Sequence, residues 1–282
     1  MLTHLTPERG RNVKTPDTWR ELRTRVGSLA VDVETAVLFC TRLPLAWMSV
    51  PLGRQAGDMK EIARASWALP IAGALVGGGG ALAYGVAAKI GLAPAPAAAL
   101  ALAATLALTG CLHEDGLADT ADGFGGGADR DRKLAIMRDS ALGTYGACAL
   151  FLSLTLRWSA LFAIADPPSV ALALVAAHAG ARAVLPAFMR LVPPARADGL
   201  AAAAGRPPPP AAAAAAIMGA AALTLLLGAL PAAIGFLALA GSAFLVARLT
   251  LRQIGGQTGD VLGALEQVGE IIILLDAAAL LK

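Results

Sequence analysis

The chain has 282 residues, 57% of them apolar and only 15% charged, with a mean hydropathy of +0.65, which excludes both an ordinary water-soluble enzyme and a disordered chain. Its three cysteines, Cys40, Cys111 and Cys148, lie far apart with no CxxC pair, which excludes a disulfide scaffold and a thiolate metal site. A formal charge of +3, with 23 Lys and Arg spread over the whole chain, fits a membrane surface and argues against a nucleic-acid partner.

The first 64 residues hold ten Lys or Arg and lack the apolar core and cleavage site of a signal peptide. They read as a cytoplasmic extension and membrane-surface segment, and 65–282 as a single helical transmembrane domain. Crossing the hydrocarbon takes about 20 apolar residues. Charge-free stretches of that length at 65–88 and 90–113 predict a hairpin turning near Pro94 and Pro96, with Gly73 to Gly80 serving helix contact. A third span, 141–165, carries Arg157, and a fourth, 170–189, carries His178 and Arg182. Arg182 is costly in lipid and is expected to face the bundle interior or a polar cavity. Residues 207–247 hold no formal charge; Pro231 and Gly235 predict a break between a fifth and a sixth span, and the prolines of 207–210 a linker entering the fifth. Glu266, Glu270 and Asp276 interrupt the last apolar stretch, 261–281, which is left as a span, a surface helix or a cavity lining. The expected fold is therefore all-α, a polytopic membrane bundle of about six to seven transmembrane helices. Alternating the spans puts the loops 113–139, 190–206 and 248–260 inside, and leaves Lys89 as the one base of the outer turns, as the positive-inside rule requires.

Seven of the twenty acidic residues fall within 113–139. If 113–122 continues the second span, Asp115, Asp119 and Asp122 at i, i+4 and i+7 share one helix face. Like charges so placed repel, unless a cation sits among them. Oxygen ligands suit Mg²⁺, Mn²⁺ or Ca²⁺, and Mg²⁺ commonly pairs a few carboxylates with substrate phosphates. Gly116, Gly123 and Gly125 to Gly127 are expected to let the backbone approach a ligand, and Arg130, Arg132, Lys133 and Arg138 to meet phosphoryl oxygens. Glycines before Asp260 and Glu266 in 255–270 point to a further metal ligand or simply to a helix start. The competing view is a solvated charge run at a membrane boundary. The set on the cytoplasmic side points to metal-assisted phosphoryl transfer near a membrane. No GxxxxGK[ST], HExxH or strand-borne GxGxxG occurs.

Four blocks carry a family resemblance: FCTRLPL at 39–45, EDGLADTADGFGGG at 114–127, RDSALGTYG at 138–146 and GGQTGDVLGALEQ at 255–267. In that order they resemble the cobalamin synthase family, whose members are adenosylcobinamide-GDP ribazoletransferases of the bacterial inner membrane. The resemblance implies a Mg²⁺-dependent transfer. A ribose hydroxyl of α-ribazole, or of its 5′-phosphate, attacks the cobinamide-proximal phosphorus of adenosylcobinamide-GDP, giving adenosylcobalamin (5′-phosphate) and GMP at a site facing the cytoplasm. Carried over residue by residue, Asp115, Asp119 and Asp122 become metal ligands, with Glu114 and Asp260 as further candidates. The general base is one of these carboxylates, Asp122 or Asp119 foremost, or His113. Arg42, Arg130, Lys133 and Arg138 are candidates for the diphosphate, Asp139 for orienting substrate, and Ser140, Thr144, Gln257 and Thr258 for guanine, ribose or corrin amides. The same acidic block is similar in part to CDP-alcohol phosphotransferases, but lacks the Arg of their motif. A transporter would use Arg157, Arg182, Glu266 and Glu270 along a path near the midplane, and a scaffold would recruit other cobalamin assembly enzymes without chemistry. Glycine-rich faces fit helix packing within one chain or a homo-oligomer equally.

Overall fold

The computed structural model describes residues 18–44 and 61–280, and every regular element in them is helical. In chain order these are α1 (Thr18–Cys40), α2 (Ile62–Ala65) leading through a 3₁₀ turn into α3 (Leu69–Lys89), α4 (Pro94–Thr109), α5 (Leu112–Gly126), α6 (Arg130–Ile136) and α7 (Thr144–Ile164). They are followed by α8 (Pro167–Ala183), α9 (Leu185–Leu191), α10 (Leu200–Ala204), α11 (Pro209–Leu227), α12 (Ala229–Ile254) and α13 (Gly259–Leu280). Five helical stretches are long and apolar enough to cross a membrane: 62–89, α7, α8 with α9, α11 and α12; α4 is too short alone and gives a sixth only if it is counted as one span with the helix bent away from it. The expected all-α membrane bundle is the fold observed.

Three expectations change. The second span does not run on into the acidic block: Gly110 (φ 62°) and Cys111 (φ 59°) adopt left-handed backbone, and α5 leaves α4 at 89°. Acid-bearing α5 therefore belongs to the site and not to the spans. The break between the fifth and sixth spans falls at Gly228 (φ 89°), because Pro231 sits in the first turn of α12, where its missing N–H costs nothing. And the last apolar stretch lies in one 22-residue helix, α13, roughly 33 Å long, enclosed by α5, α7, α8 and α12, so Glu266 and Glu270 are buried against protein.

The proposed boundary at residue 64 also meets a packed structure. Val31, Ala36, Val37 and Cys40 of α1 are buried, and Trp67 Nε1 donates to Asp32 (3.0 Å), which also pairs with Arg64 (2.6 Å). Residues 1–17 and 45–60 lie outside the described residues.

Small residues set the helix spacing. A Cβ on Gly77 would lie 2.5 Å from the carbonyl oxygen of Leu174, and one on Gly73 would strike that of His178, so α3 rests directly on the α8 backbone. α8 becomes the central helix, with Ala176, Ala177, Ala181 and Arg182 fully buried. Two apolar cores result. One, around Tyr84, Leu161, Leu174, Leu223 and Ile273, underlies the end where Tyr84 Oη donates to Ala165 O (3.0 Å). The other, around Val37, Leu69, Phe188, Val261 and Leu265, underlies the end where the loops after α5, α9 and α12 meet. There the Arg130 guanidinium donates to Ile254 O (2.9 Å) and Ala195 O (2.5 Å), and Gln257 pairs its backbone with Pro193 and Ala195 (both 2.8 Å).

Candidate active site

A polar layer separates the two cores. Arg157 of α7 donates to Glu270 (2.8 Å) and Glu114 (3.0 Å), while Arg182 of α8 pairs with Glu266 and donates to Glu270 (3.1 Å). Gln267 donates to Glu114 and Glu266 (both 3.1 Å) and accepts from Ser153 (3.0 Å). Four helices, α5, α7, α8 and α13, are thus tied by groups that lipid would expel if they stood alone. The geometry also answers the transporter reading: these charges are paired with one another. Within this layer His178, Glu266 and Glu270 bring ligating atoms within 4.8 Å of one another, but two guanidiniums already share their carboxylates, so an ion-pair network accounts for them.

The layer positions the acidic helix above it. Gly116 and Gly263 let α5 and α13 cross in close contact: a Cβ on Gly116 would lie 2.8 Å from Asp260 O, and one on Gly263 would lie 3.1 Å from His113 O. This crossing sets Asp260, in the first turn of α13, beside Asp115 and Asp119 of α5. Asp119 shows the consequence: partial burial, then the charges of Asp115, Asp260 and Asp122, push its carboxyl up to about 7. The three carboxylates do not close to within 4.8 Å of one another. Among the described residues the one base within ion-pair distance of them is Arg196, whose guanidinium stands 3.9 Å from Asp260. Thr258 donates to Asp260 (3.1 Å) and accepts from Val261 N (3.3 Å) at the start of α13.

Several predicted site residues have other partners. Asp122 accepts from Gly143 N and Gly146 N (both 2.8 Å), capping the N-terminus of α7 from a neighbouring helix, and a Cβ on either glycine would strike its carboxylate. That capping explains the glycines of 138–146. Glu114 is drawn into the ion-pair layer, and His113 is buried with Nδ1 at 3.3 Å from Arg182 and 3.9 Å from Glu266, turned away from solvent. Gln257 and Thr258 are buried within the 255–260 turn. Arg130 is spent on backbone carbonyls and Lys133 on Gln253, while Arg138 pairs with Asp198 (2.5 Å). Asp139, Ser140 and Thr144 are exposed beside them, with Asp139 accepting from Ala141 N (3.1 Å). Arg42 is exposed, lying over Gly110 at the corner between α4 and α5, and its backbone N–H donates to Leu108 O (2.7 Å).

The glycines expected to approach a ligand serve packing instead: Gly116 meets α13, Gly123 meets Met137, and Gly125 meets Tyr145. Sequence reading missed Gln267, Ser153, Arg196 and Asp198. For Gln267 the available signal was its place between Glu266 and Glu270 on the inward face of α13. A cavity of about 100 Å³ lined by His113, Asp115, Gly116, Asp260 and Gly263 sits at the crossing. It is well below the roughly 300–1,000 Å³ of small-molecule sites, so bulky substrates would meet the carboxylates from the open end of the bundle.

Comparison with known proteins adds the identity of the chemistry. The family model described as cobalamin-5-phosphate synthase matches residues 32–279. This chain belongs to that family. An adenosylcobinamide-GDP ribazoletransferase of Bradyrhizobium diazoefficiens is 58% identical over 254 residues, covering 90% of this chain and 95% of the relative. One of Mesorhizobium japonicum is 55% identical over 89% of this chain and 94% of its own length, and one of Azorhizobium caulinodans 46% over 89% and 96%. No solved structure matches. The matched region takes in both α5 and α13, so the crossing that gathers Asp115, Asp119 and Asp260 lies wholly inside the family's extent.

Proposed function

We propose that this chain is a Mg²⁺-dependent adenosylcobinamide-GDP ribazoletransferase of the bacterial inner membrane, working on α-ribazole or its 5′-phosphate with its site facing the cytoplasm. The observation that carries the metal assignment is the crowding of Asp115, Asp119 and Asp260 at the α5–α13 crossing, which adds to partial burial in raising the proton affinity of Asp119. An all-oxygen donor set of this kind fits Mg²⁺, and these three residues would hold it. A bound Mg²⁺ offsets the negative charge that builds on phosphoryl oxygens during transfer.

The protein's own groups do the rest. A carboxylate of the acidic block takes the proton of the ribose hydroxyl as that oxygen bonds to phosphorus and the bond to the GMP oxygen breaks. Arg138 and the exposed hydroxyls of Ser140 and Thr144, with Arg42, provide for the diphosphate and the corrinoid amides. The ion-pair layer keeps α5 and α13 in register. Orientation follows from the bases: the end bearing the site carries Arg130, Arg132, Lys133, Arg138, Arg190, Arg196 and Arg206, whereas the opposite turns are served by Lys89 alone.

The test is Asp119→Asn. Turnover should fall roughly 10²-fold or more, with membrane insertion and thermal stability unchanged; normal turnover in the purified variant would end the assignment.

A further inference from the structure

A groove of about 510 Å³ opens between α8–α9, α11 and α12, at the site end of the bundle. α11 and α12 meet at Gly228 and diverge from there, and small side chains along the diverging faces, among them Ala183, Ala216 and Ala243, leave the space unfilled. Its walls are hydrocarbon, with Phe188, Phe236 and Phe244 among the residues lining it, and its volume lies within the range of ligand sites. All three walls are helices read as membrane spans, so the groove opens toward lipid. One charged residue lines it: Arg248, exposed, in the last two turns of α12. Its guanidinium lies 5.8 Å from the ring of Phe244, at the lip of the apolar space, and among the described residues no carboxylate pairs with it. Arg252 follows one turn later, also exposed.

An apolar trough in the hydrocarbon with an unpaired cation at the headgroup level complements one molecule: an anionic phospholipid, one acyl chain along the trough and its phosphate at the arginine. We propose that this groove is a binding site for an acyl chain of an anionic phospholipid, with Arg248 holding the headgroup phosphate. No residue lining this groove lines the cavity beside the carboxylates, and the site does not depend on the reaction assigned to them.

The full chain is reconstituted in phosphatidylcholine vesicles carrying a trace of phosphatidylglycerol with a photoreactive group near the end of one acyl chain, and labelled residues are mapped by mass spectrometry. Labelling should concentrate on 180–192, 216–223 and 236–247. It should exceed that from the same probe on phosphatidylcholine by about fivefold, the weight of one arginine at an anionic surface. Arg248→Gln should erase that excess while leaving the labelled positions the same, and Ala243→Phe should cut labelling with either probe. Three results would overturn the proposal. They are equal labelling by the two lipids in the unaltered protein, labelling spread evenly over outward residues such as Leu82, Phe151 and Leu225, or cross-links between two copies of the chain through this groove. The first two need no variant, so a substitution that fails to fold leaves the test intact.

Discussion

Replacing Arg157 by Met probes the layer on which the site rests. Arg157 is 1% exposed and donates to Glu270 and Glu114. Without it, Arg182 is the one guanidinium left in the layer for Glu114, Glu266 and Glu270, in a place where water cannot compensate. Removing one partner of a buried ion pair costs about 3–5 kcal/mol, and two carboxylates each lose a partner here, which favours the upper end. At a few degrees per kcal/mol for a chain of this size, the apparent melting temperature should fall by about 10 °C or more. The assay is the fraction of detergent-solubilised protein that stays monodisperse after heating. Arg157→Met combined with Glu270→Gln removes one charge of each sign and should recover at least half of the loss. A single variant within about 2 °C of the unaltered protein, or a double variant no more stable than the single, would refute the view that these charges balance one another.

The remaining expectations concern the carboxylates. Because the folded-state affinity of Asp119 for its proton is raised to about 7, the charged form is the disfavoured one, and a bound cation reverses that preference. Mg²⁺ binding should release protons at pH 6.5 and almost none at pH 8.5, and affinity should rise with pH up to about 7 and then level off; calorimetry in buffers of different ionisation enthalpy reads this directly. Asp122→Ala removes the cap on α7 and should lower stability by about 1–2 kcal/mol, while Mg²⁺ affinity changes less than in Asp119→Asn; the reverse order would return Asp122 to the metal site. Gly116→Val should drive α5 off α13, and turnover should drop without loss of membrane insertion, measured by activity per folded molecule.

Local signals carried much of the fold. Apolar stretches, one charge-free and two carrying a single arginine each, gave 62–89, α7 and α8 with α9 close to their observed extents, because a membrane span must be long and apolar whatever its partners. The corner at Gly110 and Cys111 was hidden inside one apolar run: apolarity reports burial, not direction, and Cys111 in left-handed backbone carries no compositional mark. Pro231 misled for a related reason, since a proline in a first helical turn looks the same in sequence as a proline that breaks a helix. In the site, the acidic block and Asp260 were legible as residues, but their division of labour was not. Asp119 keeps the crowded setting that the helix-face argument required. Asp122, on the same face, is claimed by amides 21 and 24 residues away, and Glu114 by Arg157, 43 residues on. Such partners come from tertiary packing, and a spacing argument within one helix does not contain them. The arginines expected at phosphate were read as charges, and two of them, Arg130 and Arg138, also bridge loops.

The most direct measurement is turnover by the full, detergent-purified and lipid-supplied chain given adenosylcobinamide-GDP and α-ribazole, with Mg²⁺ or with EDTA, following GMP and the corrinoid product together. Equal amounts of both products with Mg²⁺, and neither with EDTA, is the result predicted. Folded protein that yields no product, or that works at the same rate in EDTA, would contradict the account.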